Sequence, residues 1–259
     1  MLWIGTSWKM NKTIGESRDY ARRLAAALAE APLPQGVQPF ILPPHTSLAA
    51  VRDQLAGAPV MLGAQNAHWA EEGACTGEIS MRMVADAGAQ VVEMGHSERR
   101  EQFGETDETV ARRARAAVDL GLLPLICVGE PRSVRAAGRA ERFVTEQVRV
   151  ALSLLRPDEI GGALIAYEPV WAIGARGTPA TPEQVAPVMD LIAEEIRRLS
   201  DGGGCHALLY GGGVDLDNAA LLLRDTPADG LFVGRAAWGV DGLLQLLAIG
   251  SRHVEVAAA

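Results

Sequence analysis

The chain has 259 residues, of which 48% are hydrophobic and 22% charged, so it has enough apolar material to form a core without disulfides or a structural metal. Its net charge of -8 argues against an extended nucleic-acid surface, and no apolar run is long enough to span a membrane. The three cysteines form no CxxC pair and the N-terminus lacks the basic region of a secretory signal, so we expect a cytoplasmic protein.

Short runs rich in valine, isoleucine and leucine alternate with longer amphipathic stretches, with no linker or low-complexity segment between them. The short runs predict β-strands over residues 2–7, 37–42, 60–64, 90–94, 122–128, 163–167, 205–209 and 230–233. The amphipathic stretches predict helices over residues 17–30, 46–55, 80–87, 106–120, 134–155, 182–199, 216–223 and 240–249. We therefore predict one domain, residues 1–259, in which each strand has its own crossover helix.

Successive βα units of this kind predict a parallel sheet covered by helices, because parallel strands need long crossover connections. A closed (β/α)8 barrel fits the pattern best. An open doubly wound sheet is the alternative, but that fold usually has a glycine-rich turn after its first strand, and here residues 7–12 read SWKMNK. In a barrel, the chemistry lies on the loops after the carboxyl ends of the strands.

Three residues on these loops are notable for their charge. Lys9 and Lys12 are the only lysines among 24 basic residues, and an ammonium on a slim stem can reach into a narrow pocket. Glu168 ends the buried run LIAYE, so its carboxyl should project at the barrel mouth, where apolar surroundings raise its pKa and make it a better base. The alternatives are a surface position for the lysines and, for Glu168, a surface carboxylate or one half of a structural ion pair.

His96 follows the fourth predicted strand, and Ser97 and Glu98 after it are typical of a helix N-terminus. That position lowers the pKa of an imidazole and favours a neutral ring, which can still donate a hydrogen bond. A hydrogen-bonded core histidine is the alternative. The other histidines have no metal-ligand spacing with His96, so no metal site is predicted.

Three loop segments predict a lid and a phosphate site. Residues 169–179 are bounded by prolines and carry Trp171 and Ile173, which is typical of a lid that excludes water or of a loop pinned to the barrel rim. Residues 211–213, a triglycine, and residues 233–235 follow the last two strands, where barrels commonly bind phosphate through backbone N–H groups. A flexible turn is the alternative for the triglycine.

The chain resembles the triosephosphate isomerase family along nearly its whole length. The matching motifs are WKMN at 8–11, AQN at 64–66, TGEIS at 76–80, GHSERR at 95–100, FGET at 103–106, CVGE at 127–130, AYEPVWAIG at 166–174 and YGGGV at 210–214. The resemblance implies an α/β fold, a single-domain TIM barrel with a parallel closed sheet and outer helices.

The resemblance also implies roles for individual residues. Glu168 is the implied base that moves a proton between adjacent carbons, neutral His96 polarises the carbonyl oxygens, and Lys9 balances the substrate charge. The implied supporting residues are the carboxylate of Glu98, the lid amide of Gly174, and Gly213 and Gly234 at the phosphate. The main reaction expected interconverts dihydroxyacetone phosphate and glyceraldehyde 3-phosphate through a cis-enediolate, without a cofactor, in glycolysis and gluconeogenesis.

Several positions depart from the usual family pattern. Ser7 stands where asparagine is usual, Gly213 where serine is usual, and Arg235 where glycine is usual, and the lid is one residue longer. The short Ser7 leaves space and Arg235 adds a charge beside the phosphate, which favours a longer or more hydroxylated sugar phosphate. The stretches GTSWKMNKT and VGRAAW also resemble relatives that isomerise tetrulose phosphates. The alternative reaction is therefore the conversion of L-erythrulose 1-phosphate to D-erythrulose 4-phosphate.

Two other classes of protein are alternatives to an isomerase. The departures at Ser7, Gly213 and Arg235 are compatible with a phosphate-ligand binding barrel that has lost catalysis. A Schiff-base aldolase would need a reactive lysine, for which Lys9 is a poor candidate because its loop matches the isomerase pattern.

Residues 65–80 form a long connection without a predicted helix or strand, which in a compact domain usually indicates function or an interface. In the family, this loop docks into a neighbouring subunit, with Thr76 approaching the other active site. We therefore predict a homodimer that binds a small phosphorylated sugar, with no nucleic-acid or membrane partner.

Overall fold

Eight parallel strands close into a barrel in the computed structural model, which describes residues 1–174 and 177–258. The strands pair in chain order, and the last pairs with the first. They are β1 (Leu2–Ser7), β2 (Val37–Leu42), β3 (Met61–Ala64), β4 (Val91–Met94), β5 (Leu123–Val128), β6 (Leu164–Tyr167), β7 (Ala207–Tyr210) and β8 (Gly230–Val233). The predicted single-domain TIM barrel is confirmed, and the open doubly wound alternative is wrong.

Helices surround this barrel and connect its strands. They are α1 (Ile14–Glu30), α2 (Leu48–Gln54), α3 (Met81–Asp86), α4 (Ser97–Phe103), α5 (Asp107–Asp119), α6 (Arg132–Ala136), α7 (Ala140–Leu152), α8 (Pro182–Leu199), α9 (Ala219–Asp225) and α10 (Val240–Ala258). Short 3₁₀ helices span His45–Ser47, Pro157–Gly162, Val170–Ala172 and Arg235–Ala237. Within the described ranges, none of the helices is both long and apolar enough to cross a membrane.

Two glycines explain two of the errors in the predicted helices. The single helix predicted over 134–155 is divided into α6 and α7, and Gly138 between them has a φ of +66°, which a helix does not accept. The predicted end of the last helix at 249 is also wrong, because α10 continues through Gly250 to Ala258. A Cβ at Gly250 would lie 2.3 Å from the Ile4 side chain, so this glycine allows close packing on β1 and does not end the helix.

The side chains of the strands alternate between two packed layers. Those that face outward pack beneath the helices, and those that face inward fill the barrel with apolar residues such as Trp3, Phe40, Leu125 and Phe232. A Cβ at Gly5 would lie 2.4 Å from the Phe40 ring, so the large inner rings depend on glycine beside them. The inside of the barrel is therefore a core, and ligands can bind only at its ends.

Candidate active site

A cavity of about 350 Å³ opens at the carboxyl ends of the strands, where the sequence places the chemistry. It is lined by strand ends, the lid segment and the two glycine-rich loops. The structure thus brings together almost all of the site residues that the sequence predicts: Ser7, Lys9, His96, Glu168, Gly174, Gly213, Gly234 and Arg235. Glu98, the remaining one, reaches this cavity through its contact with Lys9.

The imidazole of His96 caps α4. Its Nδ1 accepts a hydrogen bond of 3.2 Å from the backbone N–H of Glu98, so His96 itself is the N-cap of the helix that begins with Ser97 and Glu98. An Nδ1 that accepts a hydrogen bond carries no proton, which leaves the proton of the neutral ring on Nε2. Nε2 lies 3.7 Å from Oε2 of Glu168, so the ring presents a donor to the space beside this carboxyl group.

The pKa of His96 is lowered to about 4, which keeps the ring neutral at physiological pH. Burial is the largest cause, since the side chain is only 7% exposed, and the positive charge of Lys9 is the next. The sequence predicts the neutral ring but attributes it to the helix N-terminus alone.

Glu168 follows β6 at a point where the backbone is tightly held. Its N–H donates to the carbonyl oxygen of Val128 over 2.7 Å, and a Cβ on neighbouring Gly129 would lie 1.9 Å from the carbonyl oxygen of Glu168. The side chain is 5% exposed, and its Oε2 has no hydrogen-bond partner among the described residues. Burial first, and the charge of Glu93 second, raise the pKa of Glu168 to about 8.

The two lysines have different environments. Lys9 lines the cavity and has a φ of +56°. Its Nζ lies 2.5 Å from Oε1 of Glu98, and this ion pair joins the loop after β1 to α4. Lys12 lies over the rings of Trp8 and Tyr20, with Nζ 4.8 Å and 5.5 Å from their centroids. Only Lys9 is therefore placed to interact with a bound anion.

The far end of the cavity carries the groups predicted to bind phosphate. Gly234 precedes the 3₁₀ helix Arg235–Ala237, and Arg235 and Trp238 line the same wall. The indole N–H of Trp238 donates to the carbonyl oxygen of Ser7 over 3.1 Å. A Cβ at Gly213 would lie 2.8 Å from the carbonyl oxygen of Ala172, so the glycine at this position lets the lid segment lie close to the β7 loop. These groups bring glycine-rich backbone and a positively charged side chain to one end of the cavity.

The lid segment is anchored at its start. Trp171 is buried, its indole N–H donates to Oε1 of Glu130 over 2.7 Å, and the guanidinium of Arg135 lies 4.3 Å from its ring centroid. Gly174 follows with a φ of +79°. Ala175 and Arg176, which belong to the predicted lid, lie outside the described residues. The apolar bulk that suggested a lid from the sequence is thus the part fixed to the rim.

No sequence motif marks one charged residue of this region. Glu93 lies on β4 and is buried, with one carboxylate oxygen, Oε2, unpaired within residues 1–174 and 177–258. Burial raises the pKa of Glu93 to about 7, while the Ser7 hydroxyl and the charge of Lys9 lower it. The signal was present in the sequence, because a carboxyl inside the strand run QVVEM has to be buried. The described part of the chain contains no group of three histidine, cysteine or acidic residues placed to hold a metal ion.

A family model described as triosephosphate isomerase matches residues 2–250 of the chain. The chain belongs to the triosephosphate isomerase family. The resemblance seen in its motifs is confirmed, and this family member is an enzyme of the isomerase class, as predicted.

Several known proteins are similar to this family member over nearly the full length of both chains. A protein of Mycolicibacterium smegmatis named L-erythrulose-1-phosphate isomerase is 50% identical over 260 residues, covering 99% of this chain and 96% of its own. One of the same name from Rhizobium rhizogenes is 48% identical, covering 95% and 93%. The crystal structure of triosephosphate isomerase from Bartonella henselae is 35% identical, with a TM-score of 0.85, and covers 96% and 98%.

Proposed function

We propose that this isomerase acts on a four-carbon ketose phosphate and converts L-erythrulose 1-phosphate to D-erythrulose 4-phosphate. The observation that carries the proposal is the identity of 48–50%, over at least 95% of this chain, with relatives named for the first compound. The 35% identity with a triosephosphate isomerase gives weaker support to the three-carbon substrate, which is the main expectation from the sequence. A four-carbon substrate would place the reaction outside glycolysis and gluconeogenesis.

The proposed chemistry begins with Glu168 as the base. In L-erythrulose 1-phosphate the carbonyl is at carbon 2, and Glu168 removes the proton from carbon 3 to give a cis-enediolate. The protonated Glu168 then returns a proton to carbon 2, so the carbonyl moves to carbon 3. The pKa of about 8 suits this double role, because the group gains and loses a proton readily near neutral pH.

In this scheme, His96 transfers protons to and from the two oxygens, on carbons 2 and 3, of the reacting substrate. Its Nε2–H donates to the carbonyl oxygen on carbon 2, and the ring later recovers a proton from the oxygen on carbon 3. A neutral imidazole fits this task, because the oxygens of an enediolate are better matched by a weak donor than by a strong acid. The hydrogen bond from Glu98 N–H to Nδ1 supports this arrangement, since it fixes the proton on Nε2.

The remaining residues bind and shield the charged intermediate. The ammonium of Lys9 lies at the cavity wall, where it can offset the negative charge of the enediolate. Gly213, Gly234 and Arg235 are proposed to hold the phosphate, and the amide of Gly174 to reach it when the lid closes. Exclusion of water by this lid favours protonation of the intermediate over loss of phosphate.

The proposed substrate is tested by measuring kcat/KM for L-erythrulose 1-phosphate and for dihydroxyacetone phosphate in parallel. We expect a preference of roughly tenfold or more for the four-carbon compound. Glu168→Gln, purified in the same way, serves as the control, because its residual rate measures contamination by isomerases of the expression host. A corrected preference for dihydroxyacetone phosphate would overturn the proposal.

A homodimer formed through residues 65–80 is also proposed. Residues 71–78 are exposed, and two large apolar side chains lie exposed on segments joined by the Lys9–Glu98 ion pair: Met10 at 98% and Phe103 at 67% exposure. Exposed apolar side chains next to a long exposed loop are typical of a subunit interface.

A further inference from the structure

Beneath the cavity lie side chains from different strands that face into the barrel. On β4, the side chain of Val91 belongs to the inner apolar layer, so Glu93, two residues further on, faces the same way. On β1, Trp3 belongs to this layer, and Ser7, four residues further on, likewise faces inward. Glu93 and Ser7 therefore meet at the top of the inner layer, and Glu93 lies close enough to Glu168 to raise its pKa.

Glu93 interacts with the Ser7 hydroxyl but lacks the charged partner that a structural carboxylate has. It is 3% exposed, it forms no ion pair with any described residue, and Oε2 accepts no hydrogen bond from them. Buried Glu105 provides the contrast, because it pairs with Arg113 over 2.6 Å and also with Arg99. A carboxylate oxygen without a partner lowers stability, and this one belongs to a residue next to Ser7 and Glu168, which line the cavity, so it points to a ligand there that supplies the missing donor.

The four-carbon substrate carries such a donor, in a position that chemistry fixes. It differs from dihydroxyacetone phosphate by a hydroxymethyl group on the carbon from which Glu168 removes the proton. With the phosphate at the end of the cavity near Gly234 and Arg235, this group must lie on the opposite side, near Glu168. Ser7 of β1 lines the cavity, and buried Glu93 of β4 lies next to the Ser7 hydroxyl just behind this lining.

We propose that Ser7 and Glu93 form a specificity subsite for the terminal hydroxymethyl group of the substrate. The short side chain of Ser7 provides the space, and Oε2 of Glu93 accepts the hydrogen bond from the terminal hydroxyl. The assignment rests on the proposed four-carbon substrate. A three-carbon substrate leaves Glu93 unpaired, so the subsite discriminates against it, as polar sites do against analogues that lack a hydroxyl.

The test is the ratio of kcat/KM for L-erythrulose 1-phosphate to that for dihydroxyacetone phosphate in Glu93→Val, Glu93→Gln and Ser7→Asn. Because Glu93 also affects the pKa of the base, a change at position 93 alters both rates, but this common effect cancels in the ratio. We expect the ratio to fall roughly tenfold or more in Glu93→Val and in Ser7→Asn, and by less in Glu93→Gln, which retains an acceptor oxygen. A ratio within about twofold of the wild-type value in all three variants would overturn the subsite.

Binding in an inactive background separates this proposal from the proposed function. In Glu168→Gln, calorimetry with each compound should show that adding Glu93→Val weakens binding of L-erythrulose 1-phosphate more than binding of dihydroxyacetone phosphate. Equal weakening would overturn the subsite alone. A wild-type enzyme that prefers dihydroxyacetone phosphate would instead overturn the proposed function and the subsite with it. Thermal unfolding of each variant establishes that it is folded.

Discussion

At the residue scale, the site is distinguished by carboxyl groups that are buried without full compensation. Glu130 and Glu105 are equally buried, but they accept hydrogen bonds from aromatic and arginine side chains. Glu168 and Glu93 each keep an oxygen unpaired within the described residues, and burial raises the pKa of both. A buried carboxylate oxygen without a partner lowers the free energy of unfolding, and such groups are typical of sites that act on a ligand.

The pH dependence of catalysis should follow the ionisation of Glu168. We expect kcat/KM to rise with pH through a midpoint near the pKa of about 8, with no effect of His96, whose pKa of about 4 lies well below this range. Glu93→Gln should move the midpoint to lower pH, because it removes a negative charge that raises the pKa of Glu168. A pH-rate profile of each protein measures this, and an unchanged midpoint would show that the two carboxyl groups do not interact.

Removal of the base should stabilise the protein at high pH. The folded-state pKa of Glu168 is raised from 4.5 to about 8, so its stability contribution is greatest below pH 4.5 and is lost as the pH rises through about 8. Glu168→Gln should therefore unfold with a free energy roughly 2 to 4 kcal/mol larger than wild type at about pH 9, and with a smaller gain at about pH 5. Urea denaturation at both pH values measures the gain, and an equal gain at both would contradict the assigned pKa.

At the element scale, the side chains proposed to be catalytic are positioned by the ends of neighbouring strands. Gly129, directly after β5, leaves room for the backbone of Glu168, directly after β6. His96, after β4, is the N-cap of α4. The lid segment is joined to the same elements through Trp171 and Glu130. Precision at the site therefore comes from how adjacent βα units fit together.

Gly129→Ala tests this fit directly. The added Cβ would lie 1.9 Å from the carbonyl oxygen of Glu168, so we expect the base to be displaced and kcat to fall about 100-fold. Gly162→Ala is the matched control, because a Cβ there meets nothing within 4 Å, and its rate should stay near wild type. Steady-state kinetics of the two variants decide the matter, and similar rates for both would contradict the proposed support.

The sequence predicts elements well where apolar periodicity marks them and poorly elsewhere. All eight strands are predicted because each is a buried apolar run. α4 (Ser97–Phe103) is missed as a full helix because it buries none of its side chains, which leaves no periodic pattern. The other site residues could be predicted because sequence motifs mark them. Glu93 could not, because its environment includes Ser7 of β1, which is distant in sequence and is brought near only when the barrel closes.

At the scale of the whole molecule, the single chain exposes one surface of the barrel, which includes the loop over residues 65–80, Met10 and Phe103. The loop over residues 65–80 contains an isolated bridge between His68 and Ser80, and its middle is exposed. Lys9 and Glu98, both proposed to act at the site, are 23% and 43% exposed in their side chains. A second subunit that covers this face would shield the ion pair and hold the ammonium in place.

Sedimentation tests this assembly. We expect wild type to sediment as a dimer and Phe103→Asp to shift toward monomer with reduced activity, because a charge would be buried at the interface. Val256→Asp is the control, since Val256 is 78% exposed on α10 and a charge there should change neither property. A fully active wild-type monomer would show that the site is complete in one chain.

Glu168 is proposed to transfer a carbon-bound proton of a four-carbon ketose phosphate. Proton NMR of L-erythrulose 1-phosphate incubated with the enzyme in D2O observes that proton directly. Wild type should remove the signal of the proton on carbon 3 as product forms, and Glu168→Gln should leave it unchanged. Binding of the compound by wild type without product or loss of that signal, or equal reaction by Glu168→Gln, would contradict this role of Glu168.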